Sequence, residues 1–200
     1  MFHRPKIGFL ASRNGSSFRA VVEAVAEGSL SAEPRLLVSN SRKSAALDFA
    51  AERKIPSLVL PTQTDPEAAD TRLCEAMTGA GVELIVLSGY LRRLGPVTLG
   101  AFRNRVLNIH PGPLPDFGGE GMYGRRVHEA VIAAGVAASG VTIHLVDEVY
   151  DHGPVLARWE VPLPAGETAD SLEARVTALE PQLFVETLRR IVAGDLILPS

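Results

Sequence analysis

Short continuous apolar runs alternate with stretches whose apolar residues recur at helical spacing. This alternation constrains the fold more than any other feature of the chain. Lys6 to Ala11 (K-I-G-F-L-A) reads as a buried strand. Phe18, Val21, Val22 and Val25 then fall at i, i+3, i+4 and i+7, one face of a helix ending near Gly28. Between them, Ser12-Arg13-Asn14-Gly15-Ser16-Ser17 is a polar, turn-forming loop. The pattern repeats through Arg35–Ser39, an alanine-rich helix over Ser44–Arg53 and a short strand over Ser57–Leu60. Asp65 caps a helix with Pro66 at its first position, and Gly79 stops it. Glu83–Leu87 (E-L-I-V-L) is apolar enough to be covered on both faces, as in parallel sheets. A short helix near Pro96–Phe102 leads to a fifth strand. The predicted fold is a doubly wound α/β sheet, mostly parallel, with helices on both faces.

The fifth strand carries the chemistry. Val106 to Pro115 reads V-L-N-I-H-P-G-P-L-P. Asn108 and His110 lie two residues apart, so an extended chain points them to one face. One offers an amide, the other an imidazole that can change charge near neutral pH. Pro111, Pro113 and Pro115 cannot donate to a ladder, so the strand must end in a stiff loop. Asp116 to Gly124 then holds four glycines in nine residues, a loop built for close approach. A helix through Val127, Val131 and Ala134 closes at Gly135. Gly140–Val146 alternates apolar and polar residues and reads as a half-buried strand, with Gly153–Val161 its partner. Asp170 with Glu173 resembles a capping box, and Pro181 predicts a kink or break in the last helix.

In such sheets ligands bind at the carboxyl ends of the strands, near the switch in strand order. The Asn14–Ser17 loop, the loop at Tyr90 and the Asn108–His110 end all map to that edge. A small-residue turn opening a helix presents free N–H groups to an anion, although Ser16 or Ser17 as a plain helix cap explains it equally. It is neither a Walker A loop nor G-x-G-x-x-G, which disfavours a dinucleotide. Asp147 to Pro154 is an acidic turn whose carboxylates could orient His110 or sit exposed in a hairpin. His128 and His144 match no zinc spacing, so no metal is expected. A net charge of −3 gives no basic field for nucleic acid. The single Cys74, a short interrupted N-terminal apolar run and the lack of a membrane-length run favour a cytoplasmic protein.

These spaced motifs carry a resemblance. N-I-H-P-x-x-L-P with Asn108 and His110, and D-x-G-P with Asp151, resemble the folate-dependent formyltransferase family. The opening S-R-N-G-S-S narrows the likeness to its branch acting on glycinamide ribonucleotide. The likeness runs from Lys6 to about Val192, in one domain over residues 1–200. It implies a phosphate-binding half to about residue 100 and a folate-binding, catalytic half after it.

The resemblance implies a co-substrate, 10-formyltetrahydrofolate, and a role for each matched residue. Gly15, Ser16 and Ser17 would hold the substrate phosphate, and Glu180 its ribose hydroxyls. Leu91, Arg92, Arg93 and Leu94 would line the folate pocket, the main chain meeting the pteridine. Asp147, Glu148, Val149 and Tyr150 would wrap the pterin. Asn108 and His110 would polarise the formyl oxygen, with Asp151 keeping His110 charged. No nucleic acid or membrane partner is implied, and a monomer or weak homodimer is expected. Gly112 and Pro113 replace Ser and Leu of the commoner H-P-S-L-L-P, and the loop after them is longer than the usual P-G-x-H. Ser17 stands where Asn is frequent. Two other readings fit parts of the pattern: a formyltransferase for an amino sugar or hydroxylamine, and a non-catalytic nucleotide-binding module.

Overall fold

The computed structural model describes residues 4–199. Five strands alternate with helices: β1 (Lys6–Leu10), β2 (Glu33–Ser39), β3 (Ser57–Val59), β4 (Leu84–Leu87) and β5 (Val106–His110). Helices α1 (Ser16–Ala26), α2 (Ala45–Glu52), α3 (Pro66–Gly79) and α4 (Pro96–Ala101) connect them. After β5 come α5 (Arg125–Ala134), β6 (Ala138–Leu145), β7 (Val155–Pro162) and α6 (Ala169–Ala193). The sheet order is β3-β2-β1-β4-β5-β6-β7. The first five strands pair in parallel and the last two antiparallel. The order reverses between β1 and β4, so the loops after those two strands form the switch point.

Alternation along β1 divides the core. Ile7, Phe9 and Ala11 face Phe18, Val21, Phe49, Val131 and Phe184, in the layer of α1, α2, α5 and α6. Leu10 faces Leu73, Met77 and Phe102, in the layer of α3 and α4. The predicted helices on both faces are therefore present, each burying one apolar stripe.

Two local expectations fail for physical reasons. The strand β6 is buried over almost its whole length, not half-exposed. Its apolar side chains join the helical layer. Its polar ones, Thr142 and His144, are covered by the loop after β5 and by the β6–β7 turn: Thr142 Oγ1 donates to Gly112 O at 2.8 Å. The cap of α6 is Thr168, paired reciprocally with Ser171, two residues before the expected Asp170. Asp170 instead pairs with Arg125 of α5. Of the kink or break expected at Pro181, the break is absent: α6 is one helix from Ala169 to Ala193.

Candidate active site

Strand β5 pairs with β4 only through Val106 and Leu107. Asn108 and His110 therefore extend past the parallel ladder at the ligand-binding edge. Strand β6 supports them from the other side, with Asn108 opposite His144 and His110 opposite Thr142. Directly opposed residues share a face. Asn108 Nδ2 and His144 Nε2 are accordingly 3.1 Å apart. His144 Nδ1 lies 2.9 Å from Leu145 O. A carbonyl only accepts, so Nδ1 carries a proton. The neutral ring then accepts from Asn108 at Nε2; the charged ring would donate there to Asp151.

Asp151 comes from the β6–β7 turn with φ 55°, in the left-handed region. Its Oδ2 is 3.4 Å from His110 Nδ1 and accepts from Gly119 N at 3.1 Å. Its Oδ1 is 3.4 Å from His144 Nε2. The acidic turn thus faces the histidine, and the surface-turn alternative fails for Asp151. It does hold for Asp147, which is exposed and pairs with exposed His152 at 3.0 Å. Gly118 permits this packing, since a Cβ there would stand 2.3 Å from Leu114 Cδ2 and 3.0 Å from Asp151 Cβ.

His110 is 3% exposed. Burial pulls its pKa below the ordinary value; the Asp151 charge and the Phe117 carbonyl oppose this without reversing it. Against the expectation that Asp151 keeps His110 charged, burial outweighs the Asp151 charge and lowers the pKa. His110 Nε2 donates to Phe117 O at 2.7 Å, so the glycine-rich loop occupies that proton. Burial alone would raise the Asp151 pKa, but hydrogen bonding with His144, the His110 charge and the Gly119 amide bring it below the usual carboxylate value. Asp151 is an anion between two imidazoles.

The loop after β1 is backbone-built. Gly15 is the N-cap of α1, at φ 66° and ψ 51°. A Cβ there would also meet Ala46 Cβ at 3.1 Å. Neither Ser16 nor Ser17 caps the helix: Ser16 is its first residue, and Ser17 is 1% exposed. The cap comes instead from the loop after β4, where Ser88 Oγ accepts from Phe18 N at 3.0 Å. Among the described residues the amides of Ser16 and Ser17 have no such partner, which leaves donors at the positive end of the helix.

A model of the formyl transferase family matches residues 5–188. The chain belongs to the formyl transferase family. The chloroplastic phosphoribosylglycinamide formyltransferase of Vigna unguiculata is 40% identical over 190 residues, 94% of this chain and 61% of that protein. The phosphoribosylglycinamide formyltransferase of Bacillus subtilis is 32% identical over 189 residues, 94% of each. The crystal structure of glycinamide ribonucleotide transformylase 1 from Symbiobacterium toebii superposes with a TM-score of 0.89 at 29% identity, covering 100% of this chain and 93% of that one. The chain spans 61% to 65% of the length of the three plant relatives.

Within this formyl transferase fold, the residues expected to bind folate fall on two adjoining surfaces. Arg92, Arg93 and Leu94 line a cavity of about 180 Å³ with Tyr90, Asp70 and Leu73. Leu91, Val149 and Tyr150 lie outside its lining and are 50%, 59% and 47% exposed. Arg93 joins the two surfaces by donating to Glu148 O and standing 5.6 Å over the Tyr150 ring. Of the Leu91 main chain, the N–H already donates to Ser12 Oγ at 2.8 Å. Glu180 lies on α6; burial, then the Glu173 charge, push its pKa up to about 7. The sequence reading missed His144, which it weighed only as a metal ligand. The Thr142/His144 alternation was visible, but the strand opposite it was not. Among the described residues no group of three or more His, Cys, Asp or Glu could hold a metal ion, and no helix is long and apolar enough to cross a membrane.

Proposed function

We propose that the chain transfers the formyl group of 10-formyltetrahydrofolate to the amine of glycinamide ribonucleotide, a step of purine biosynthesis. The observation that carries this reading is the cluster at the end of β5: an amide and an imidazole on one face, backed by an anion between two histidines. The names of the relatives support the acceptor. The exposed Leu91, Val149 and Tyr150 beside the catalytic loop supply apolar surface for a flat pterin ring.

The amine attacks the formyl carbon, a C–N bond forms, and the carbonyl oxygen becomes an oxyanion. Collapse breaks the bond to folate N10, which takes one proton as the amine gives one up. One N–H of Asn108 is held by His144, leaving the second for the oxyanion. The His110 Nε2 proton exchanges its Phe117 acceptor for the same oxygen. The lowered pKa of His110 in the free protein suits this role. Developing negative charge on the oxyanion strengthens donation from Nε2, and Asp151 beside Nδ1 stabilises the positive charge that builds on the ring in the transition state. The phosphate sits at Gly15–Ser17 and the ribose at Glu180. With one cysteine and no metal required, the enzyme works in a reducing compartment, here the cytoplasm, as a monomer or weak dimer.

The test is a coupled assay with both substrates, run beside an amino-sugar acceptor. Turnover with glycinamide ribonucleotide supports the reading; turnover with the sugar alone replaces it with the other acceptor class.

A further inference from the structure

Among the described residues, the sheet ends in a strand with one open edge. Strand β7 pairs with β6 on its inner side and has no strand on its outer side. An antiparallel strand points the main-chain groups of alternate residues to one neighbour, and the ladder fixes which ones point outward here. Leu163 N donates to Ala137 O at 3.0 Å, so Leu163 points inward. With it point Val161, Trp159 and Ala157, opposite Ser139, Val141 and Ile143. The N–H and C=O of Arg158 and Glu160 therefore point outward, and among the described residues no other main chain bonds to them. This open stretch is bounded at both ends. At one end the register skips Leu156, between Ala157 opposite Ile143 and Val155 opposite His144, which makes a bulge. At the other, Pro162 has no N–H, and its carbonyl already accepts from Arg175 at 3.0 Å.

We propose that the β7 edge is a self-association surface, on which two copies of this chain pair antiparallel through residues 157–161 about a twofold axis at Trp159. In that register Arg158 stands opposite the partner's Glu160, and Glu160 opposite the partner's Arg158. All these residues point their main-chain groups across the junction, so each facing pair exchanges both its hydrogen bonds. An ion pair then forms on either side of the axis, and opposite charges directly across a strand pair are stabilising. Glu160 is exposed, and its carboxylate has no partner among the described residues. Arg158 donates from Nη2 to Leu114 O, which leaves the rest of its fork for a carboxylate. On the other face the half-buried Trp159 meets the partner's Trp159 as a non-hydrogen-bonded pair, the closer kind. Charges on an edge can also serve only to keep other strands away. That role needs no matched order, whereas here opposite charges flank an axis midway between the bulge and the proline. The other edge of the sheet, β3, is only three residues long, so the twofold closes the assembly at two chains. This supplies a surface for the weak dimer proposed above, and it does not depend on the reaction assigned.

The test is sedimentation equilibrium of the full chain from about 1 μM to about 500 μM. The wild type should pass from one chain to two across that range. A mass of one chain throughout overturns the proposal, and so do species larger than two chains. Glu160→Arg sets like charges across the junction, and so does Arg158→Glu. Each alone should weaken association at least about tenfold. Mixed together, the two variants should associate with each other, because every facing pair is again of opposite charge. Association that either variant leaves unchanged, or that mixing does not restore, overturns the proposal by placing the contact on another surface. The chain's single tryptophan reports from the axis: its emission should shift with concentration in the wild type and stay fixed in Glu160→Arg. Should Arg158→Glu fail to fold through loss of its bond to Leu114, hydrogen exchange of the wild type decides. The amides of Arg158 and Glu160 should exchange at least about tenfold more slowly at the higher concentration, and that of Trp159, inside the ladder, equally at both. Concentration-independent exchange at Arg158 and Glu160 overturns the proposal.

Discussion

The two candidate substrate ends of the molecule are built by opposite means. The site at the start of α1 is made of backbone: a left-handed Gly15, unpartnered amides at Ser16 and Ser17, and a cap borrowed from Ser88. The site at the end of β5 is made of side chains whose partners come from three other segments: Asp151, His144 and the Phe117 carbonyl. A backbone site depends on conformation and tolerates changes of side chain. A side-chain site depends on individual charges and protons, so single atoms decide it.

The most direct way to break this contrast is at the catalytic face. His110→Ala or Asn108→Ala should lower kcat by about 10²–10³-fold with the melting transition retained, as loss of an oxyanion donor does. Near-normal kcat in a well-folded variant would place the chemistry elsewhere. Asp151→Asn comes next. Asn tolerates the left-handed backbone that Asp151 adopts, so the swap isolates the charge. It removes the contribution that opposes burial at His110, so the His110 pKa should fall further and kcat at neutral pH should drop at least about tenfold. Histidine NMR titration alongside the assay checks both, and an unmoved His110 resonance would detach Asp151 from it.

At the backbone site the sensitive position is Gly15. Gly15→Val forces a β-branched residue to φ 66° beside Ala46 and should cost about 1–3 kcal/mol of stability. It should raise KM for the ribonucleotide about tenfold while that for folate stays within about twofold. Ser17→Ala should change either KM by less than about twofold, and its stability effect, judged by thermal melting, should stay near 1 kcal/mol. A large KM effect from Ser17→Ala would show that the loop reads its ligand with side chains after all.

Stability against pH sharpens the comparison further. His110 and His128 have folded pKa values below the ordinary 6.5, so the unfolded chain binds their protons first. Their contribution is present above about pH 6.5 and is lost as the pH falls through the folded values. Glu180 acts in the opposite direction. Raised from 4.5 to about 7, it binds its proton first in the folded state, so it stabilises progressively as pH falls across that window. Glu180→Gln should therefore steepen the acid loss of stability by up to about 1.4 kcal/mol per pH unit, seen as Tm against pH. An unchanged slope would mean that Glu180 titrates as in water.

The catalytic face was half legible in the sequence. Asn108 and His110 share a face because a strand alternates, and Pro111 ends that strand by chemistry local to the ring. Asp151 entered through the resemblance, since as a residue it was one of several acids in a turn. Asp147 and Asp151 look alike in sequence and differ only in what their turn faces. His144 was invisible as a partner because pairing between β5 and β6 spans 36 positions, a separation no local pattern encodes.

What the sequence determined by itself was everything set by short-range sterics and periodicity: the strand–helix alternation, the Asp65–Pro66 helix start, the glycine turn before α1 and the proline stop after β5. Tertiary structure alone decided the rest. It chose Thr168 over Asp170 as a cap, Ser88 over Ser16 or Ser17, and burial over exposure for Thr142 and His144. It also set the His110 pKa below its ordinary value despite the anionic neighbour. The physical reason is common to all of these. Caps, burial and protonation depend on which groups desolvate one another, and that is fixed only when distant segments pack.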